Sequence, residues 1–245
     1  MKTQLQLNIY YCKRLAKQLS AVLLLTLLVN QSVAANANVP ANSKPVQQAE
    51  SEATNRAHKQ HLQAKLRELS SYTADFQQVV MDITGEVLQE ANGRIHLQQP
   101  QKLHWEVYPP NEAVLIADGN TLWHVDPFVE QVIALDQTAS IQAHPMMLLA
   151  QPDSPSWQHY AVSAVDNVFT VIPQVTGQAS LQDPALGVKK LQLTFSGATL
   201  NELLIIDEQQ QSNLLTFSNV SQNQPIAAEK FQFSLPDGFD LDDQR

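Results

Sequence analysis

The side chains in this 245-residue chain that could do chemistry are seven histidines, 24 Asp and Glu, and one cysteine. His58 and His61 are three residues apart, which puts both imidazoles on one helix face where they could begin a metal site. No third ligand follows nearby and no His-Glu-x-x-His occurs, so exposed histidines are the simpler reading. His96, His104 and His124 fall on neighbouring strand-like runs, alternating with apolar residues, which predicts a solvated outer sheet face for all three. The carboxylates gather near turns, at Asp82, Glu86 and Glu90, and in the terminal pair Asp242-Asp243. Paired carboxylates could hydrolyse a glycosidic bond, but an aromatic content of 7% is low for a sugar cleft. Seven glycines supply no Gly-x-Gly-x-x-Gly, no P-loop and no Gly-x-Ser-x-Gly elbow. The expectation is no enzyme, no cofactor and no metal.

What could position such residues begins after a leader. Lys2, Lys13, Arg14 and Lys17 precede the apolar run from Leu19 to Val29, and Ala35 and Ala37 follow in an Ala-x-Ala pattern. This predicts a secretory signal peptide over residues 1–37, cut after Ala37 with Ala35 as the competing site; the run is about half the ~20 apolar residues a span needs. Cys12 precedes the run, so it cannot be a lipid-modified cysteine, and the mature chain is expected to lack any thiol. Cleavage leaves 11 basic against 24 acidic residues, a net charge of −13. That balance argues against nucleic acid and anionic membrane surfaces as partners.

Residues 38–54 show no apolar period and read as a disordered leader, with one domain over residues 55–245. Leu62, Leu66 and Leu69 make one face of an amphipathic helix over Asn55–Leu69. The period then falls to two. Strands are predicted from Thr73 on, over Glu86–Leu97, Leu103–Val107, Val114–Ala117, Thr121–Val125 and Gln131–Leu135, then Tyr160–Val165, Val168–Ile172, Val188–Phe195, Leu200–Asp207, Leu214–Val220 and Lys230–Leu235. Turn signals between neighbours argue an antiparallel meander of about ten or eleven strands. Pro145 to Ala150 interrupts it with an apolar helical turn that could plug one end of a barrel or act as a flexible lid. Asp118 to Leu135 is the clearest hairpin, and Phe128 at its tip either packs back on its own sheet, the commoner outcome, or contacts a partner. The alternating apolar positions Ile95, Leu97, Leu103, Trp105, Val107, Trp123, Val125 and Ile133 outnumber what the helices obviously cover. A curled sheet can fill such a face with its own side chains or enclose a ligand.

Four segments resemble the periplasmic lipoprotein carrier family, LolA. They are LSSYTADFQQ (Leu69–Gln78), GRIHLQQPQKLHW (Gly93–Trp105), DGNTLWHVDPFVEQ (Asp118–Gln131) and GFDLDDQR (Gly238–Arg245). The resemblance implies a mainly β fold, an incomplete, half-open antiparallel β-barrel with a helical lid. It implies a periplasmic monomer that takes acylated lipoproteins from an inner-membrane ABC-type exporter to an outer-membrane acceptor lipoprotein. The acyl chains would lie against Ile95, Leu97, Leu103, Trp105, Val107, Trp123, Val125 and Ile133, with Met146, Met147 and Leu149 from the lid. A carrier of free lipid or glycolipid is the alternative, and a hydrolase the more distant one.

The family's arginine before the proline of the second segment is replaced here by Gln99. That position is implicated in holding the lid shut, and a neutral amide offers two donors where guanidinium offers a charged five-donor fork. Weaker closure is therefore expected. Leu103 stands where the family often has Phe, a position associated with transfer to the partner.

Overall fold

The computed structural model describes residues 44–141, 144–174 and 188–245. The expected signal segment and Cys12 lie outside the described residues, as do residues 38–43 of the expected leader. Helix α1 runs from Lys44 to Arg67 and so begins well before Asn55. Residues 44–54 carry no apolar stripe, which makes them silent to periodicity, but Gln, Ala and Glu are good helix formers. Pro45 stands in the first turn, where a missing N–H costs nothing, and Lys65 and Arg67 sit in the last turn, where the helix dipole favours cations. The stretch from Glu50 to Thr54 is exposed, so this part of the helix stands in solvent.

Twelve strands form one sheet: β1 (Ser71–Met81), β2 (Val87–Gln98), β3 (Lys102–Val107), β4 (Ala113–Ala117), β5 (Thr121–Asp126), β6 (Gln131–Asp136), β7 (Tyr160–Val165), β8 (Val168–Pro173), β9 (Val188–Ser196), β10 (Thr199–Asp207), β11 (Ser212–Gln222) and β12 (Asp240–Asp243). Their order is β12-β6-β5-β4-β3-β2-β1-β11-β10-β9-β8-β7, an open sheet with β12 and β7 at its ends. Every pairing is antiparallel except β12 on β6. β12 is acidic and exposed and pairs through its backbone alone, which is why no alternation announces it. The segment expected as a strand over Lys230–Leu235 is instead a 3₁₀ turn at Ala228–Phe231 followed by extended chain. It crosses the convex face of the sheet, burying Phe231 and stacking Phe233 on Trp123 at 4.4 Å between ring centroids.

The concave face holds the core. Its rows follow from the register: Leu97 opposite Leu103, Leu103 opposite Ala117, and Ala117 opposite Leu122. Beside this row run Ile95, Trp105, Leu115 and His124. Gly93 is the one place where that face must be bare. A Cβ there would fall on the Phe76 ring and the Glu106 carbonyl, and its absence lets Phe76 lie across β2 onto Trp105, 4.3 Å away. Tyr72, buried in the same core, satisfies its hydroxyl by donating to the Leu200 carbonyl at 2.7 Å.

Candidate functional site: a concave face filled by a helix

Leu62 and Leu66 of α1, and Leu69 just beyond its end, are buried in the same cluster as Ile95, Leu97, Leu103 and Trp105. Met147 and Leu149, from a 3₁₀ helix over Pro145–Ala150, join that cluster, and Val107 and Met146 pack on its margin. Two apolar pieces thus occupy the concave side: α1 and the 3₁₀ helix. Buried apolar side chains of this size each contribute about 1.5–3 kcal/mol. Leu62, Leu66 and Leu69 with Met147, Leu148 and Leu149 therefore hold the face closed with roughly 9–18 kcal/mol of gross burial.

The polar ties holding these pieces are few. Gln99 donates from Nε2 to the carbonyl of Leu66, 2.6 Å away in the last turn of α1, sharing it with the Leu69 N–H at 3.0 Å. Its backbone N–H donates to Ser70 at 2.9 Å, and two residues on, the Gln101 N–H donates to Ala150 at 3.0 Å. One loop between β2 and β3 therefore fastens both α1 and the 3₁₀ helix. Gln137, almost fully buried, braces that loop by donating to the Gln101 carbonyl at 2.7 Å while accepting from the Gly119 N–H. Along α1, Lys59 donates to the Trp157 carbonyl and Gln63 to the Pro152 carbonyl, at 2.9 and 2.8 Å. Arg67 pairs with Asp153 at 2.7 Å, an exposed bridge of small worth. Lys59, Gln63 and Gln137 carry no mark in the sequence that sets them apart, because each acts by meeting a backbone carbonyl far along the chain.

Three positions singled out from the sequence, Trp123, Val125 and His124, lie on the face opposite to the one expected. Trp123 and Val125 lie on the convex face, since β5 presents Leu122 and His124 inward. A strand's side chains alternate strictly, so taking the indole as the inward residue reverses the whole strand. Trp123 donates from Nε1 to Asp118 at 2.9 Å and carries the Arg245 guanidinium 5.2 Å from its ring. Ile133 does face inward, opposite His124, but outside the buried cluster. His124, expected on the outer face, is exposed on the concave side.

His96 and His104 do lie on the convex face, but not in open solvent. Their rings stack at 5.9 Å, and neither is fully exposed. Burial, the adjacent His104 ring and the Lys230 ammonium push the His96 imidazole down to about 4. Burial also lowers His104, whose Nδ1 has no hydrogen-bond partner among the described residues. Phe128 is 78% exposed at the β5–β6 turn and does not pack back on its sheet. That turn is shaped by Asp126, whose carboxylate accepts from the Phe128 and Val129 N–H groups. Among the described residues no group of three His, Cys, Asp or Glu is placed to hold a metal ion, and no described helix is long and apolar enough to cross a membrane.

The family model described as outer membrane lipoprotein carrier protein LolA matches residues 67–234. The chain belongs to the LolA family. A relative named outer-membrane lipoprotein carrier protein from Idiomarina loihiensis is 36% identical over 76% of this chain and 88% of its own length. Relatives with the same name from Shewanella halifaxensis and Vibrio vulnificus are 33% and 31% identical, covering 75% and 76% of this chain and 85% and 90% of their own lengths. The open antiparallel-rich sheet, with one long helix among the described residues, is thus the LolA-type fold.

Proposed function

We propose that the protein carries lipid-modified proteins across the periplasm, shielding their acyl chains on the concave face that α1 and the 3₁₀ helix now fill. The carrying observation is that this apolar face is closed by removable side chains rather than by the sheet itself. Each buried CH₂ of a lipid contributes about 0.8 kcal/mol, so one sixteen-carbon chain gains on the order of 12 kcal/mol on leaving water. That lies within the roughly 9–18 kcal/mol of burial the six lid residues give up. Exchange of the lid for one acyl chain is therefore close to balanced, so opening the face costs little net once the first chain enters.

In this reading an inner-membrane ABC-type exporter delivers the acylated lipoprotein, and an outer-membrane acceptor lipoprotein with a more favourable apolar site receives it. The protein acts as a monomer and catalyses no covalent step. Gln99 tunes the closed state: its amide holds α1 through one neutral hydrogen bond to Leu66. The names of the relatives and the replaceable lid support the reading together. Affinity isolation of the protein from periplasmic extract, with mass spectrometry of what comes with it, tests it. Triacylated lipoproteins are the expected finding. Free lipid alone would make it a lipid binder, and an empty protein would remove the cargo claim.

A further inference from the structure

Strand β7 ends the sheet among the described residues, so the N–H and C=O groups on its outer side meet no neighbouring strand there. An edge of this kind ordinarily invites another chain to pair with it. Here α1 lies against it in a particular way. The Val162 N–H donates to the Asn55 carboxamide oxygen at 3.4 Å, and the Ala164 N–H donates to His58 Nδ1 at 3.2 Å. Residues 162 and 164 are alternate positions, and alternate outward N–H groups are what an antiparallel strand would meet with its carbonyls. Asn55 and His58, one helical turn apart, stand in for those carbonyls. The outward C=O groups of Val162 and Ala164 receive no donor among the described residues. The edge is thus half satisfied, on its donor side alone. A groove of about 490 Å³ runs beside it, between Glu50, Ser51 and Thr54 of α1 and Ser163, Thr170 and Ile172 of the β7–β8 hairpin.

The same helix that caps this edge fills the concave face. α1 is one element of 24 residues, roughly 36 Å long and without an internal break. Acyl chains that displace Leu62 and Leu66 must therefore also draw Asn55 and His58 away from β7. We propose that loading uncovers β7 as a docking edge for the extended polypeptide that follows a cargo's acylated N-terminus, which pairs with β7 as a further antiparallel strand. This rests on the carrier reading above and names how the protein part of the cargo is held. Pairing through main-chain groups reads no side chains, and a carrier serving cargo of many sequences needs that indifference. It also places the two halves of the cargo, lipid and peptide, on either side of one moving helix.

The test uses the whole mature protein and a synthetic probe: an N-acylated, S-diacylglyceryl cysteine bearing an uncharged eight-residue Gly/Ser/Asn tail. Three versions are compared, with an unmodified tail and with N-methyl groups at either of the two sets of alternate tail residues. One methylated register should bind about tenfold more weakly than the unmodified probe, because its lost donors faced the β7 carbonyls, and the other should bind unchanged. Amide exchange gives a second readout. Val162 and Ala164 N–H groups should exchange quickly with the tail-less acylated cysteine bound, and slowly with the tailed probe. Equal affinity for all three probes, with no added protection at Val162 and Ala164, would overturn strand pairing while leaving acyl carriage standing. Failure of every acylated probe to bind would remove the carrier reading and this proposal with it. A dimer of the tail-less complex in sedimentation would assign the edge to a second copy of the chain and likewise overturn it.

Discussion

Replacing Gln99 separates the closed state of the lid from the fold that carries it. Its Nε2 donates to the Leu66 carbonyl at 2.6 Å, a second bond to an oxygen that also accepts the Leu69 N–H at 3.0 Å. Gln99→Ala therefore removes one hydrogen bond present with the lid shut and absent with it open, about 0.5–1.5 kcal/mol. An apolar fluorescent dye that needs the concave face binds only the open form, so its apparent affinity scales with the open fraction. The variant should bind the dye roughly 2- to 12-fold more tightly. Gln99→Arg should act in the opposite sense. A charged donor at a helix C-terminus contributes about 1 kcal/mol more than a neutral one, so the dye should bind roughly fivefold more weakly. Titrations on both variants and the native protein, with hydrogen exchange of the α1 amides alongside, read both directions. If all three bind the dye alike and protect α1 alike, the Gln99 amide does not set the closed state.

Stability should fall as acid reaches the convex face. His96 and His104 are held neutral in the fold, by burial first and then, for His96, by the neighbouring imidazole, Lys230 and Arg94 against the opposing Asp75. The unfolded chain binds both protons near pH ~6.5, whereas the fold binds that of His96 only toward pH 4 and that of His104 below its ordinary range, so stability is whole above ~6.5 and is lost as pH falls below it. The melting temperature should drop over this range, and less so in a His96→Gln, His104→Gln double variant. Gly93→Ala should destabilise by about 1–3 kcal/mol or more in urea titration, because the added methyl meets Phe76 and a backbone carbonyl. Leu66→Ala should cost about 2–5 kcal/mol by the same measurement, since the residue is fully buried in the cluster that closes the concave face.

Much of the sheet is legible in the sequence because β2 and β3 alternate cleanly. Ile95, Leu97, Leu103 and Trp105 face one way, and their register confirms it. The same logic misleads in β5. There the inward pair is Leu122 and His124, while the larger apolar residue, Trp123, is covered from outside by Phe233. Periodicity within a strand cannot know that a distant segment crosses the far side of the sheet. It is equally blind to the first half of α1, whose sequence has no apolar face to repeat. The closing contacts escape it for a different reason. Lys59, Gln63 and Gln137 each donate to a backbone carbonyl, and every residue has one. Gln99 could be singled out only because the family resemblance marks its position, and its bond to Leu66 gives that mark a physical form.

The account's central claim is that the concave face accepts acyl chains in place of the helix now filling it. The direct measurement is hydrogen exchange of α1 in the purified protein, with and without one equivalent of a triacylated peptide, and native mass spectrometry on the same samples. The account predicts a soluble complex with one acylated peptide bound, in which the amides around Leu62 and Leu66 lose protection while β2 and β3 keep theirs. A bound peptide that leaves α1 fully protected, or equal binding of the same peptide without its acyl chains, would contradict it.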